Sequence, residues 1–443
     1  MINFLNFLSF LFFTFVSNFF LLLAFNKDRI FIDFFLGLFL WLGFWYKYSI
    51  SLLLGTGYFD EFLNGEILYV INDEVLNISS VAFIALIIAR FIRAKIWNYP
   101  IISNKNEINE NIVSFYIKYR DFILLIFIFS VCFFSFTNSY LGIYQKGFIA
   151  KTHLPLGLNN LYKCLILFGF TALSAIIIYF ELLVKKQISN LILMIVIGSE
   201  LLISFSLLSR GSIINIFALA YGALFMSSQL SIKIKLVPLK IILILSLIFL
   251  IILSINFLRI NSFKDHQTEL KQGFYENIYH LKKITKPLLI DRWVGIESLM
   301  ALVTSKQAGW DLWYKAWEEK YDVKETSLYD RIIFNSPYRA LISEKNHFIT
   351  APGFVTFFSY PGSLVFLFFS VLTVYLFSSI FEIFTYYSSK GNIILCSVFS
   401  YIISYRFASF GYVPRQSYLL FGSLFIFLII IFFLNKKFNN RNF

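Results

Sequence analysis

"IILILSLIFLIILSINF", residues 241–257, contains no charged side chain. An uncharged apolar run of about 18 residues or more is long enough to cross the hydrocarbon of a bilayer as a helix. Only a helix or a closed barrel satisfies its backbone hydrogen bonds there. The rest of the 443-residue chain follows the same pattern: 58% of it is hydrophobic, 20% aromatic and only 14% charged. A soluble domain cannot bury that much apolar surface. The expected fold class is all-α, a polytopic membrane protein with about eleven (ten to twelve) spans.

The predicted spans are 3–25, 30–46, 77–94, 121–140, 159–184, 188–208, 212–229, 240–258, 357–381, 392–410 and 417–434. The stretch 49–71 is apolar but interrupted by Asp60, Glu61 and Glu66. It reads either as an interfacial or re-entrant segment or as a twelfth span. Met1–Phe25 has no basic leader and no small-residue cleavage site, so it reads as a retained first helix.

Loop charge sets the orientation, because cytoplasmic loops retain Lys and Arg. One set of short loops carries seventeen of them, including Arg90, Arg93, Lys185, Lys390 and Lys436. The opposite set carries seven, among them Lys47, Arg210 and Arg415. The first set is assigned to the cytoplasm, which places the C-terminus inside. The same rule accounts for the net charge of +13 without invoking nucleic acid. The three cysteines and four histidines have no metal-like spacing, so no metal and no cofactor is expected.

The chain divides into 1–258 with eight spans, a large external loop over 259–356, and 357–443 with three spans and a basic tail. A loop of that length is usually functional. This one holds 14 Lys/Arg and 12 Asp/Glu, together with four of the seven tryptophans. Ile296, Leu299, Met300 and Val303 recur at helical spacing, as do Trp310, Trp313 and Trp317. Two amphipathic helices joined at Gly309 are predicted, with Lys315, Glu318 and Glu319 turned mainly away from the tryptophans. Such a stripe suits either a helix at the headgroup level or a small core on top of the bundle.

Several arginines fall on the external side by this topology: Arg210, Arg259, Arg292, Arg331, Arg339, Arg406 and Arg415; a set of them meeting from separate segments would make an anion site. Guanidinium groups hold phosphate bidentately and stay charged when partly buried. For Arg406 and Arg415, snorkelling to headgroups explains the placement equally well. Gly211 and Ser212, which follow Arg210, allow close approach of a ligand or a helix. Glu200 lies inside the sixth span, about 15 Å along the helix from Arg210, so it needs a partner from another span, such as a polar group of the fifth or the fourth. Glu181 and Glu382 read as interfacial. His347 precedes a short apolar segment that Pro361 and Gly362 break before the next span, and a histidine there can act as a general base. Glu297, one turn from Trp293, is the second candidate base.

Two stretches resemble a known family. "SRGSIINIFALAYGALF" (209–225) is similar to the Ser-Arg-Gly start of a span in O-antigen polymerases (Wzy) and the related O-antigen ligases. "HFITAPGFVTFFSYPGSLVFLFF" (347–369) resembles those families' histidine, short helix, glycine break and final long span. A polar residue often follows the histidine in the family, where this chain has Phe348. The resemblance implies a C-type glycosyltransferase in the bacterial inner membrane. Its substrate is an undecaprenyl-pyrophosphate-linked oligosaccharide repeat unit, joined to others at the periplasmic face without metal or nucleotide sugar. It implies partners in membrane lipids, a chain-length regulator and a flippase. On this reading Arg210, Arg292, Arg339 and Arg415 bind pyrophosphate, and His347 or Glu297 takes the acceptor proton. The alternatives are an O-antigen ligase acting on lipid A core and a flippase or transporter of lipid-linked oligosaccharide.

Overall fold

The computed structural model describes residues 4–26, 28–54, 72–100, 110–209, 211, 214–232, 254–255, 293–323, 325–334 and 349–439. Among them every regular element is a helix and no strand occurs. Where they are described, the predicted spans fall on helices, including Phe4–Leu23, Asn72–Ile96, Glu110–Leu141 and Asn190–Ser206, except that 357–381 is divided between Phe354–Ser359 and Leu364–Ser388. Nearly all of the predicted span 240–258, and most of 49–71, lie outside the described residues.

Among the described residues five helices are long and apolar enough to cross a membrane: Asp73–Ile96, Asn111–Leu141, Pro155–Lys185, Leu364–Ser388 and Pro414–Lys437. This is the make-up of a multi-pass helical membrane protein. Other apolar helices, such as Ile214–Gln229 and Ile393–Ala408, have 16 residues each. A straight crossing needs ~20, so these are shorter than the count of eleven assumed.

The described residues form two compact units, each discontinuous in sequence. The first comprises 1–99, 269–381 and 403–418, and the second 100–268, 382–402 and 419–443.

In the first unit, Phe4–Leu23 packs along Asn72–Ile96 through aromatic contacts, with Phe83 set edge-on to Phe13 and Phe20. Its polar anchor is Asp33, fully buried near the start of the helix Phe31–Trp41. One carboxylate oxygen accepts from the Ile30 amide at 3.1 Å and pairs with the Arg93 guanidinium; the other accepts from the Tyr375 hydroxyl. Arg90 lies 3.8 Å from the same carboxylate, and Arg93 also donates to the Asp28 carbonyl at 2.7 Å. Asp33 therefore caps its own helix while pairing with Arg93 and offsetting part of the charge of Arg90, both arginines being 2% exposed.

The second unit has comparable hubs. Glu181, read from sequence as interfacial, is buried and takes Arg120 at 2.5 Å and Tyr116 at 2.9 Å on one oxygen, with Lys185 at 3.6 Å from the other. Glu382, read the same way, is also buried and accepts from Ser400 at 2.8 Å. The reason is common to both: helices carry these acids inward, where other helices supply donors. Of the two spans expected to supply a partner for Glu200, the fourth and the fifth, the fifth does so. Thr171 donates to it at 3.1 Å, and Asn215 of the seventh helix stands 3.3 Å away. Close packing recurs at Gly222, where an added Cβ would fall 2.8 Å from Ser397 and 2.9 Å from the Ile394 Cα. Small residues at helix contacts are the usual device for such approach in membranes.

Asp33→Ala leaves Arg90 and Arg93 buried without a counter-charge, a change that costs about 3–5 kcal/mol when one member of a buried pair is removed. The expected outcome is loss of a monodisperse peak in detergent size-exclusion chromatography, with Ser17→Ala as the mild control.

Candidate functional site

The helix Phe31–Trp41 does not stop at Trp41. It continues through a π-turn, Leu42–Tyr46, into the helix Lys47–Leu54. Such insertions recur at functional sites because they re-aim the side chains that follow. Here the turn brings Gly43 against Gly295. A Cβ on Gly43 would sit 2.2 Å from the Val294 carbonyl oxygen, and one on Gly295 would sit 2.2 Å from the Gly43 oxygen. Only two glycines allow the two backbones to touch in this way.

That contact sets Lys47 under the next helix. Its ammonium lies 2.6 Å from Glu297 Oε1 and donates to the Trp293 carbonyl at 3.0 Å. Lys47 is 3% exposed and Glu297 18%. Glu297 is in the first turn of Ile296–Ser305, where the helix dipole favours a carboxylate. Its Oε2 is buried and has no hydrogen-bond partner among the described residues. One oxygen is thus fixed by a cation and the other has unused acceptor capacity among the described residues, which a general base for a hydroxyl proton requires. Tyr329, in a second π-turn, Tyr329–Phe334, stands close enough for the two groups to interact electrostatically. Burial, and to a lesser degree the Glu297 charge, hold its phenol well above the ordinary tyrosine range.

The segment after His347 is tied to the same helices. The Thr350 amide donates to Asp330 at 3.1 Å, and its carbonyl accepts from Ser327 at 3.0 Å. The chain then turns at Gly353, whose amide donates to Phe410 O at 2.8 Å. It forms the short helix Phe354–Ser359, breaks at Pro361–Gly362, and enters Leu364–Ser388. The short helix, break and long helix occur in the predicted order.

The two amphipathic helices are also present, as Ile296–Ser305 and Trp310–Trp317, with Gly309 capping the second. Trp310 and Trp313 meet Phe366 edge-on at 5.0 and 5.4 Å, and Trp317 meets Phe357 at 6.0 Å. The stripe therefore packs on neighbouring aromatic residues, while Trp310 stays 46% exposed. One expectation for this helix fails. Glu319 does not point away: it is buried, and its two oxygens accept the backbone amides of Leu328 and Val413. The helix ends at Trp317, so Glu319 belongs to the turn that follows and not to the charged face.

Of the predicted site residues, Glu297 and Arg415 are described. Each has its own partner. Arg415 Nη2 lies 3.2 Å from Glu318 Oε1, and both side chains are exposed, at 53% and 70%. An exposed pair of that kind contributes ~0–1 kcal/mol and leaves the guanidinium free to exchange partners. Arg210, Arg292, Arg339 and His347 lie outside the described residues. Beside Arg210, the Gly211 carbonyl accepts from the Tyr401 hydroxyl at 3.1 Å, so a tyrosine does approach that backbone. Arg331 pairs with Glu325, and Arg406 donates to Ser417 at 2.8 and 3.0 Å. Lys47 was not singled out from sequence, where it counted only toward topology; its place within an unbroken apolar helix was the available signal. Among the described residues no group of three or more His, Cys, Asp or Glu gathers around a point.

Comparison with known proteins yields no match: no family model, no curated protein and no solved structure aligns with this chain.

Lys47→Met strands the Glu297 carboxylate and should lower the melting temperature in detergent. The exchange Lys47→Glu with Glu297→Lys should recover most of that loss, whereas an unrecovered double variant would show that the pair is not what stabilises the contact. For Glu319, burial raises the carboxyl pKa above its ordinary 4.5, against the opposing pull of the two amides. The raised value means that the folded state binds this proton more tightly than the unfolded chain does. Its stabilising contribution is full below pH ~4.5 and fades as pH rises through the folded value. Thermal unfolding from pH 4 upward should therefore show the advantage of wild type over Glu319→Gln shrinking with rising pH.

Proposed function

We propose that the protein is a glycosyltransferase that polymerises undecaprenyl-pyrophosphate-linked oligosaccharide repeat units into O-antigen at the periplasmic face of the bacterial inner membrane. The observation that carries this reading is the Glu297 carboxylate, held on one oxygen by buried Lys47, with no partner for the other among the described residues. Lys47 was assigned to the external side by loop charge and Glu297 by its place in the large loop. Their contact agrees with both assignments. The two stretches that resemble O-antigen polymerases flank this region in sequence, and the short helix, break and long helix that follow His347 fit the second of them.

The chemistry needs few groups. An acceptor hydroxyl attacks the anomeric carbon of a lipid-linked sugar. A carbon–oxygen bond forms, the bond to pyrophosphate breaks, and the lipid pyrophosphate leaves with the electron pair. The hydroxyl proton passes to a base, for which Glu297 and His347 are the candidates. Charge developing on the leaving oxygen is stabilised by guanidinium groups in a partly dry site. Arg210, Arg292 and Arg339 fill that role, and Arg415 fills it by exchanging Glu318 for phosphate. The tryptophans of 310–317 offer faces on which sugars stack.

Deletion of the gene, followed by electrophoresis of surface lipopolysaccharide, tests the reading. A polymerase deletion leaves core carrying one repeat unit. Bare core would point instead to a ligase or a flippase, and an unchanged ladder would exclude all three. In the complemented strain, Arg210→Ala and Glu297→Gln should each abolish chain extension at normal membrane abundance. A full ladder from either variant removes that residue from the site.

A further inference from the structure

The second unit contains a cleft of about 480 Å³ that the proposed reaction does not use. That volume falls in the ~300–1000 Å³ range of ligand pockets. Its long walls are the helices Asn111–Leu141 and Pro155–Lys185, two of the five long enough to cross a membrane. Phe127, Phe134, Phe170, Leu173 and Ile177 line it and leave almost no polar surface. Along these walls ordered water, which needs two to four polar partners, finds few. Leu173 is 37% exposed and Ile126 46%, so the cleft opens sideways where the helices face hydrocarbon.

One end is different. Ser389, Lys390, Asn392 and Asn435 line it together. Lys390 ends the helix Leu364–Ser388 in a left-handed conformation, φ 50°, which aims its side chain out of the helical path. Its backbone is fixed on both sides. The Gly391 amide donates to the Tyr386 carbonyl at 2.9 Å, and the Tyr179 hydroxyl donates to the Lys390 carbonyl at 3.2 Å. The ammonium forms no ion pair with any described residue, and Lys436 and Lys437 follow Asn435 in sequence. An apolar slot ending in a lysine of fixed backbone that no described residue neutralises complements a molecule with an anionic head and a hydrocarbon tail. Basic pockets between spans on the cytoplasmic side take acidic lipid headgroups, and loop charge assigns Lys390, Lys436 and Lys437 to that side.

We propose that this cleft is a binding site for an anionic glycerophospholipid, with one acyl chain between the two helices and the phosphate at Lys390. It is independent of the transfer reaction, so either proposal can fail without the other.

The test is native mass spectrometry of the full chain, delipidated in detergent and titrated with phosphatidylglycerol or phosphatidylethanolamine. Wild type should retain one phosphatidylglycerol and prefer it by about fivefold, the ratio expected of one lysine at a membrane surface. Lys390→Gln should bind both lipids equally, and Leu173→Trp, which fills the slot, should retain neither. Equal binding of the two lipids by wild type overturns the proposal, as does an undiminished preference in Lys390→Gln. Competitive displacement of phosphatidylglycerol by undecaprenyl phosphate at equal concentration would also overturn it, because the slot would then be built for a prenyl chain. Lys390 is at a half-exposed turn, so its variant keeps the test decisive if Leu173→Trp fails to fold.

Discussion

A charged group that leaves water must find an opposite charge or hydrogen-bond donors, because hydrocarbon offers nothing in exchange for the lost hydration. This constraint organises both compact units. In the first, Asp33 holds Arg93, lies beside Arg90, and accepts from Tyr375. Lys47 holds Glu297 and the backbone of Trp293. In the second, Glu181 gathers Arg120, Tyr116 and Lys185. Apolar packing fills the space between these points but does not choose a register, since one leucine or phenylalanine is nearly as good a neighbour as another. The polar hubs are what make one arrangement of greasy helices different from its competitors.

The helices themselves were legible from composition alone. Long uncharged runs bounded by Lys and Arg leave the backbone no other way to satisfy itself, and the helices fall where those runs are. The amphipathic pair at 296–317 was equally plain, because its period matches a helix and Gly309 stops it. What composition cannot convey is pairing across the chain. Tyr375 reaches Asp33 from 342 positions away, and no local pattern announces it. The acids were misjudged for a related reason. Glu181, Glu382 and Glu319 were assigned from where they stand along a segment, whereas their burial depends on donors from other segments, down to the Val413 amide in the case of Glu319.

The site was partly legible. Glu297 was recognisable as an acid near a tryptophan in an external loop, but the lysine that orients it was not. Nor was the glycine pair that lets one backbone rest on another: a glycine in a membrane helix is common, and Gly43 acquires meaning only from its contact with Val294 and Gly295. A π-turn leaves little trace in sequence, since it adds one residue without changing apolar character. Lys47 owes its direction to that extra residue.

The distance in sequence between Lys47 and its acceptor has a consequence for biogenesis. The Trp293 carbonyl is made 246 residues after Lys47. At roughly 5–20 residues per second of synthesis, that is a wait of about 10–50 s. Asp33 meets Arg93 after only 60 residues, so one buried charge of this unit is settled early and the other late. In the interval Lys47 has neither Glu297 nor the Trp293 carbonyl, and it must be kept wet by the aqueous boundary or shielded by an insertion factor. The N-terminal helices therefore enter the membrane as a half-finished surface, and the last step of their folding belongs to residues not yet translated.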